Sequence, residues 1–287
     1  KHEKLVEIEG FEHKECVTEI PLNNICNEQK PYEYHDKESE DYSIFYADTE
    51  AMVSEGEHLC LLTGIVKDGE KHVEICKYNP DKPNKHVQDM LSYADLLSGR
   101  QQKVIIYFHN LKYDLAVLKK HIHVIDVCEK DGAIYSVKTI FRKRIIELRD
   151  SYKLFNEKLD TFGATFGLSP GMCKKEAIGY TYYKTTNIKK RKHRVSEYIK
   201  HIKEKDKEIF MEILKSDPRF GYDGKYFRAM KYYKYYLKYD CLVLMNGFKV
   251  FESKIKDLTG LCIHDSLTIS SLANKYFASR GSFTDLY

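Results

Sequence analysis

The first strong signal along the chain is short and apolar. Residues 42–47, Tyr-Ser-Ile-Phe-Tyr-Ala, read as a strand running into Asp48. A second strand is expected at 59–66 and a third near 72–77, after the Asp68-Gly69 turn. Pro80 and Pro83 mark a loop, and apolar residues at Val87, Met90, Leu91, Ala94 and Leu97 predict a helix over 86–97. Residues 103–109, Lys-Val-Ile-Ile-Tyr-Phe-His, are apolar on both faces, as in a central strand covered by helices. A helix is expected at 113–120 and strands at 122–128, 133–139 and 143–149. Further helices are expected over 156–166, 195–214, 226–251 and 266–279. Strands lead, helices intervene and a central strand is buried, which predicts an α/β protein with a mixed sheet flanked by helices on both faces. Residues 1–40 are polar and aperiodic, and read as a leader or the end of a preceding region.

Composition narrows the class. With 43% hydrophobic and 31% charged residues in 287, the chain has an ordinary globular make-up and enough length for a sizeable core. The net charge of +4 is by itself a weak sign of a polyanionic partner. Acidic residues are dense before position 60, whereas Lys and Arg dominate 174–205. The run Lys189-Lys-Arg-Lys-His-Arg194 is read first as a solvated loop and second as a weak DNA contact. There is no Trp, but 23 Tyr and 14 Phe can serve a core or stack on bases. The eight cysteines contain no Cys-x-x-Cys pair, which argues against zinc and for free thiols in an intracellular, reducing compartment. His121 and His123 lack an evident third ligand and read as ordinary histidines. No apolar run approaches the roughly 20 residues of a membrane helix, so no membrane partner is expected. The chain opens on Lys rather than Met, and is expected to start inside a longer or processed polypeptide.

Three short acidic segments carry candidate chemistry. Phosphodiester hydrolysis needs charge neutralised on two oxygens and a nucleophilic water, which two divalent cations ~4 Å apart supply. Mg²⁺ takes carboxylate oxygens, few per ion. Asp48-Thr49-Glu50 ends an apolar strand, and a period of two puts both carboxylates on one face. Such a pair alone is more often a solvated strand end. Asn110-Leu-Lys-Tyr-Asp114 follows the central strand, at the sheet edge where α/β sites gather, although an ordinary helix cap reads the same way. In Tyr236-Leu-Lys-Tyr-Asp240, helical spacing puts Tyr236 and Asp240 on one face beside an apolar run, and alone this is more often a surface Asp.

Together the three segments resemble the Exo I, Exo II and Exo III motifs of the DEDD exonuclease superfamily, in the branch with a Tyr-x-x-x-Asp third motif. Asn110-Leu-Lys-Tyr-Asp114 further resembles the second motif of the protein-primed family B DNA polymerases. Arg149-Asp-Ser151-Tyr-Lys-Leu-Phe155 is similar to that group's Ser/Thr-Leu-x-x-hydrophobic motif, departing from it with Tyr152 in place of Leu. Lys175-Glu-Ala-Ile178 is similar to its Lys-x-x-hydrophobic motif, with Lys174 offering a second register. Leu267-Thr-Ile-Ser-Ser-Leu-Ala273 is similar to the segment leading towards the polymerase half. The resemblance covers about residues 41–279.

The resemblance implies an RNase H-like mixed sheet, with an exonuclease domain over 41–252 and a connection towards an absent polymerase domain over 253–287. It implies a monomeric 3′→5′ proofreading exonuclease, cut from a DNA-directed DNA polymerase, that uses two Mg²⁺ or Mn²⁺ on single-stranded DNA 3′ ends. A terminal priming protein would be a further partner. Asp48, Glu50 and Asp240 would hold one metal, Asp48 and Asp114 would bracket the second, and Tyr236 would orient the attacking water. Asn110 and Tyr113 would contact the frayed 3′ end, Ser151 would offer a phosphate-side hydroxyl and Lys175 a positive charge. Ala51 stands where many relatives carry a DNA-touching Thr. Two alternatives stand beside this: a stand-alone DEDD nuclease acting on DNA or RNA, and a non-catalytic single-stranded nucleic-acid-binding scaffold.

Overall fold

The computed structural model describes residues 41–54, 56–100, 102–169 and 177–281. Glu40–Ile269 forms one compact unit, and the chain from Ser270 belongs to a second. Within the first, seven strands form one sheet: β1 (Tyr42–Ser54), β2 (Glu57–Lys67), β3 (Val73–Lys77), β4 (Lys103–Phe108), β5 (Val124–Lys130), β6 (Ala133–Phe141) and β7 (Arg144–Asp150). Their order is β3-β2-β1-β4-β7-β6-β5. The outer pairs are antiparallel, whereas β1, β4 and β7 run parallel at the centre. This is the mixed α/β sheet that the hydrophobic pattern predicts. Every residue of β4 after Lys103 is buried, in keeping with its two apolar faces.

One face is covered by α1 (Lys85–Leu96) and α2 (Leu111–Leu118). Val87, Met90, Leu91 and Ala94 of α1 pack with Phe45 and Ala47 of β1 and with Val104, Ile106 and Phe108 of β4. The other face takes a 31-residue helix, Ala229–Thr259. It is numbered α4, after α3 (Lys207–Ser216). Phe248 of α4 lies against Tyr46 and Tyr107, with ring centroids 5.4 and 4.4 Å away. A short ribbon of β8 (His193–Arg194) and β9 (Tyr226–Phe227) stands apart from the main sheet, and α5 (Ile269–Ser279) follows α4 in the chain.

Two expected helices are broken. Residues 156–166 give only a 3₁₀ turn at Leu159–Thr161 and a single α-turn at Phe162–Thr165. Phe155, Phe162 and Phe166 converge here on Phe248 and Phe251 of α4, and that convergence decides the path of the chain. Residues 195–214 form short turns and then α3, with Ile202 and Lys203 in extended backbone between them. The break lets Tyr198 stack on Phe210 at 5.1 Å. In a continuous helix these two positions would sit roughly 18 Å apart. Both rings meet Tyr232 of α4, so core formation overrides the helical pattern.

Gly64 sets how closely α4 meets the sheet. It pairs with Asp48 in the β1–β2 ladder, and a Cβ there would lie 2.9 Å from both Cys241 Sγ and Leu237 Cγ. Cys241 and Leu237 flank Asp240 along α4, so the missing side chain brings the helix down where its carboxylate is needed. Gly64→Ala is therefore expected to lower unfolding stability by about 1–3 kcal/mol in denaturant titration. An unchanged midpoint would show that α4 is not in tight contact at Gly64.

Candidate active site

The site forms where the carboxyl end of β1 passes under α4. Alternation along the strand puts Asp48 and Glu50 on the α4 face and Thr49 on the opposite one. A register shift between Glu50 and Ala51 interrupts the β1–β2 ladder just past the acids, and pairing then resumes from Ala51 with Cys60 to Ser54 with Glu57. On α4, Tyr236 and Asp240 are one helical turn apart. Oxygens of Asp48, Glu50 and Asp240 all lie within 4.8 Å of one another. Among the described residues, this is the one group of three or more acidic, His or Cys side chains close enough to share a cation.

Asp114 approaches from the first turn of α2. It is 2% exposed, and its Oδ1 accepts the Thr49 N–H at 3.1 Å and the Thr49 hydroxyl at 2.7 Å. The carboxyl groups are crowded and short of solvent. Asp48 is pushed up to about 7 by desolvation. Glu50 is raised by desolvation and then by repulsion from Asp48 and Asp240. Asp114 is raised by burial and repulsion from Asp48, against the pull of its Thr49 hydrogen bonds. Glu50 and Asp114 are buried and Asp48 and Asp240 half-buried, and carboxylates crowded in this way are a poor stability device but a good cation trap. All-oxygen donors suit a hard cation such as Mg²⁺ or Mn²⁺. The Cys60 and Cys241 thiols nearby are buried and pushed up, so they stay protonated.

A tyrosine wall closes one side. The hydroxyls of Tyr236 and Tyr180 lie 2.8 Å apart, and both are raised by desolvation and nearby carboxylates. Tyr233 donates its hydroxyl to the Ala51 carbonyl at 2.9 Å and lies beside Glu50. Tyr180 is not evident from sequence. It belongs to Gly179-Tyr-Thr-Tyr-Tyr183, and nothing local separates it from Tyr182 and Tyr183, which enter the core.

The mouth is set by the β4–α2 junction. Asn110 takes a left-handed backbone, φ 68°, and its N–H donates to Asp150 Oδ1 at 2.9 Å. That oxygen also accepts the Tyr152 N–H at 3.0 Å. Asp150 thus ties the end of β7 to the turn that presents exposed Asn110 and half-exposed Tyr113, a role that sequence reasoning misses. Tyr113 stands edge-on to His58. Ser151 is fully buried, its hydroxyl 2.9 Å from the Phe108 carbonyl and 3.0 Å from His109 Nδ1, so in this arrangement it braces the junction from inside. Lys175 lies outside the described residues. His121 contacts Asn84 at 2.7 Å and stands edge-on to His86. Among the described residues no helix is long and apolar enough to cross a membrane.

The raised Asp48 value has a consequence for stability. Its folded pKa exceeds the ordinary 3.8, so the native state binds more protons across that window and stability is lost as pH rises from 3.8 to about 7. In metal-free thermal melts, Asp48→Asn should therefore gain on the wild type as pH rises, levelling off above about 7. A constant difference between the two across that range would contradict the crowded site.

No curated protein matches the chain in sequence. Among solved structures, the chain is similar to Phi29 DNA polymerase complexed with primer-template DNA, at 14% identity and a TM-score of 0.47, covering 85% of this chain and 36% of that one. It is also similar to Phi29 DNA polymerase complexed with single-stranded DNA, at 14% identity and a TM-score of 0.45, covering 82% and 34%. The chain thus spans about a third of the length of these structures. The family described as DNA polymerase type B, organellar and viral, matches residues 98–282, well over half of the sequence. The chain belongs to the type B DNA polymerases of the organellar and viral family.

Proposed function

We propose that the domain is a 3′→5′ exonuclease that removes nucleotides from single-stranded DNA ends, the proofreading half of a protein-primed polymerase. The observation that carries this is the convergence of Asp48, Glu50 and Asp240 within 4.8 Å, with Asp114 bound to the residue between the first two. Desolvation and repulsion make this cluster costly without counter-charge, and the donor set fits hard divalent cations. Asp48, Glu50 and Asp240 would hold one ion, and Asp48 with Asp114 a second. Bound there, such ions would neutralise the phosphodiester and make water nucleophilic at neutral pH.

The remaining work falls to the protein. The Tyr236 hydroxyl, kept protonated by desolvation, is a donor or acceptor that orients the attacking water. Tyr180, paired to it at 2.8 Å, fixes that orientation. Tyr113, half-exposed, offers its ring to the terminal base, a contact worth about 1–3 kcal/mol in stacking systems. Asn110, held by Asp150, offers its amide to the sugar or base. Ser151 acts through the junction, and Lys175 remains a candidate phosphate contact. A terminal priming protein is the expected partner of the complete polymerase.

The test is nucleotide release from a 3′-labelled single-stranded oligonucleotide with Mg²⁺, with Mn²⁺ and with EDTA. Stepwise shortening from the 3′ end is expected with either metal, with none in EDTA and none from Asp48→Ala/Glu50→Ala. Folded, metal-loaded wild-type protein that leaves the oligonucleotide intact but still retards it on a gel would instead favour a binding scaffold.

A further inference from the structure

Asp48 and Glu50 face α4 and Asp240, whereas Thr49 between them faces α2 and Asp114. Asp114 is not among the three carboxylates that converge within 4.8 Å. Its link to β1 runs through Thr49, which gives both its N–H and its hydroxyl to the same oxygen, Oδ1. Both residues are buried, at 3% and 2% exposure, so water does not compete for these bonds. A carboxylate gripped at one oxygen by two donors from one residue is fixed in rotation as well as in position. Its Oδ2 takes part in neither Thr49 bond.

We propose that Thr49 is a positioning residue that ties α2 to β1 and reserves Asp114 Oδ2 for a cation. The inference rests on the exonuclease function proposed above and deepens it: Thr49 couples the fourth carboxylate to the other three. A Thr whose hydroxyl merely fills space beside Asp114 would have no effect on cation binding. Partners that orient a metal ligand commonly govern metal affinity by about 10- to 100-fold.

Thr49→Val keeps the shape and the backbone N–H but removes the hydroxyl, and Thr49→Ser restores it. Mn²⁺ binding to wild type and both variants would be followed by calorimetry, beside nucleotide release from the labelled oligonucleotide. Wild type is expected to bind two Mn²⁺. Thr49→Val should weaken one of them by about 10- to 100-fold and leave the other unchanged. Its kcat should fall while KM for the oligonucleotide holds, and Thr49→Ser should recover both. A cooperatively melting Thr49→Val with both Mn²⁺ affinities and kcat at the wild-type level would overturn the assignment. If Thr49→Val does not fold, Thr49→Ser decides, because loss of one Mn²⁺ despite a retained hydroxyl also overturns it. Wild-type release with an indifferent Thr49→Val removes Thr49 alone. A wild type that neither binds Mn²⁺ nor releases nucleotide removes the exonuclease function and Thr49 together.

Discussion

Mutual repulsion among Asp48, Glu50 and Asp240 is the constraint around which this domain is built. Left in water these side chains would move apart. Here the parallel centre of the sheet, the closeness of α4 and the packing of its aromatic residues hold their oxygens within 4.8 Å. Gly64 lets the helix descend, Phe248 lies against Tyr46 and Tyr107 further along, and Tyr233 fastens the near end to the Ala51 carbonyl. The fold thus sustains a destabilising arrangement, the usual mark of a functional site rather than a structural one.

The same logic explains the contacts surrounding the cluster. Asp114 and Asp150 are both buried acids at strand–helix junctions, yet they play different parts. Asp150 accepts backbone N–H groups and stiffens the turn at Asn110. Asp114 accepts from Thr49 with a single oxygen. One joins its own turn to the turn at Asn110; the other joins α2 to β1. Two adjacent tyrosines, Tyr236 and Tyr180, add neutral polar groups where further negative charge would be intolerable.

Much of this is legible in the sequence because strand alternation and helix spacing are local rules. Residues 42–48 and 103–109 announce their strands, and the spacing of Tyr236 and Asp240 needs only a helix to bring them onto one face. What is hidden depends on contacts distant in the chain. The helices expected at 156–166 and 195–214 fail because Phe162 and Phe210 find partners brought in by the fold, Phe155 and α4 among them, which no reading of helical period anticipates. Tyr180 looks like its neighbours until the fold turns Tyr182 and Tyr183 inward. In sequence Thr49 is only the residue between the two acids of the first motif; its side-chain direction is predictable, but its partner Asp114 lies 65 residues away.

The central claim is that this cluster exists to hold divalent cations, and diffraction tests it most directly. Crystals soaked in Mn²⁺ should show an anomalous-difference peak in contact with the Asp48, Glu50 and Asp240 carboxylates, absent in Asp240→Asn crystals soaked alike. Ordered side chains at all three positions with no peak between them at saturating Mn²⁺ would contradict it.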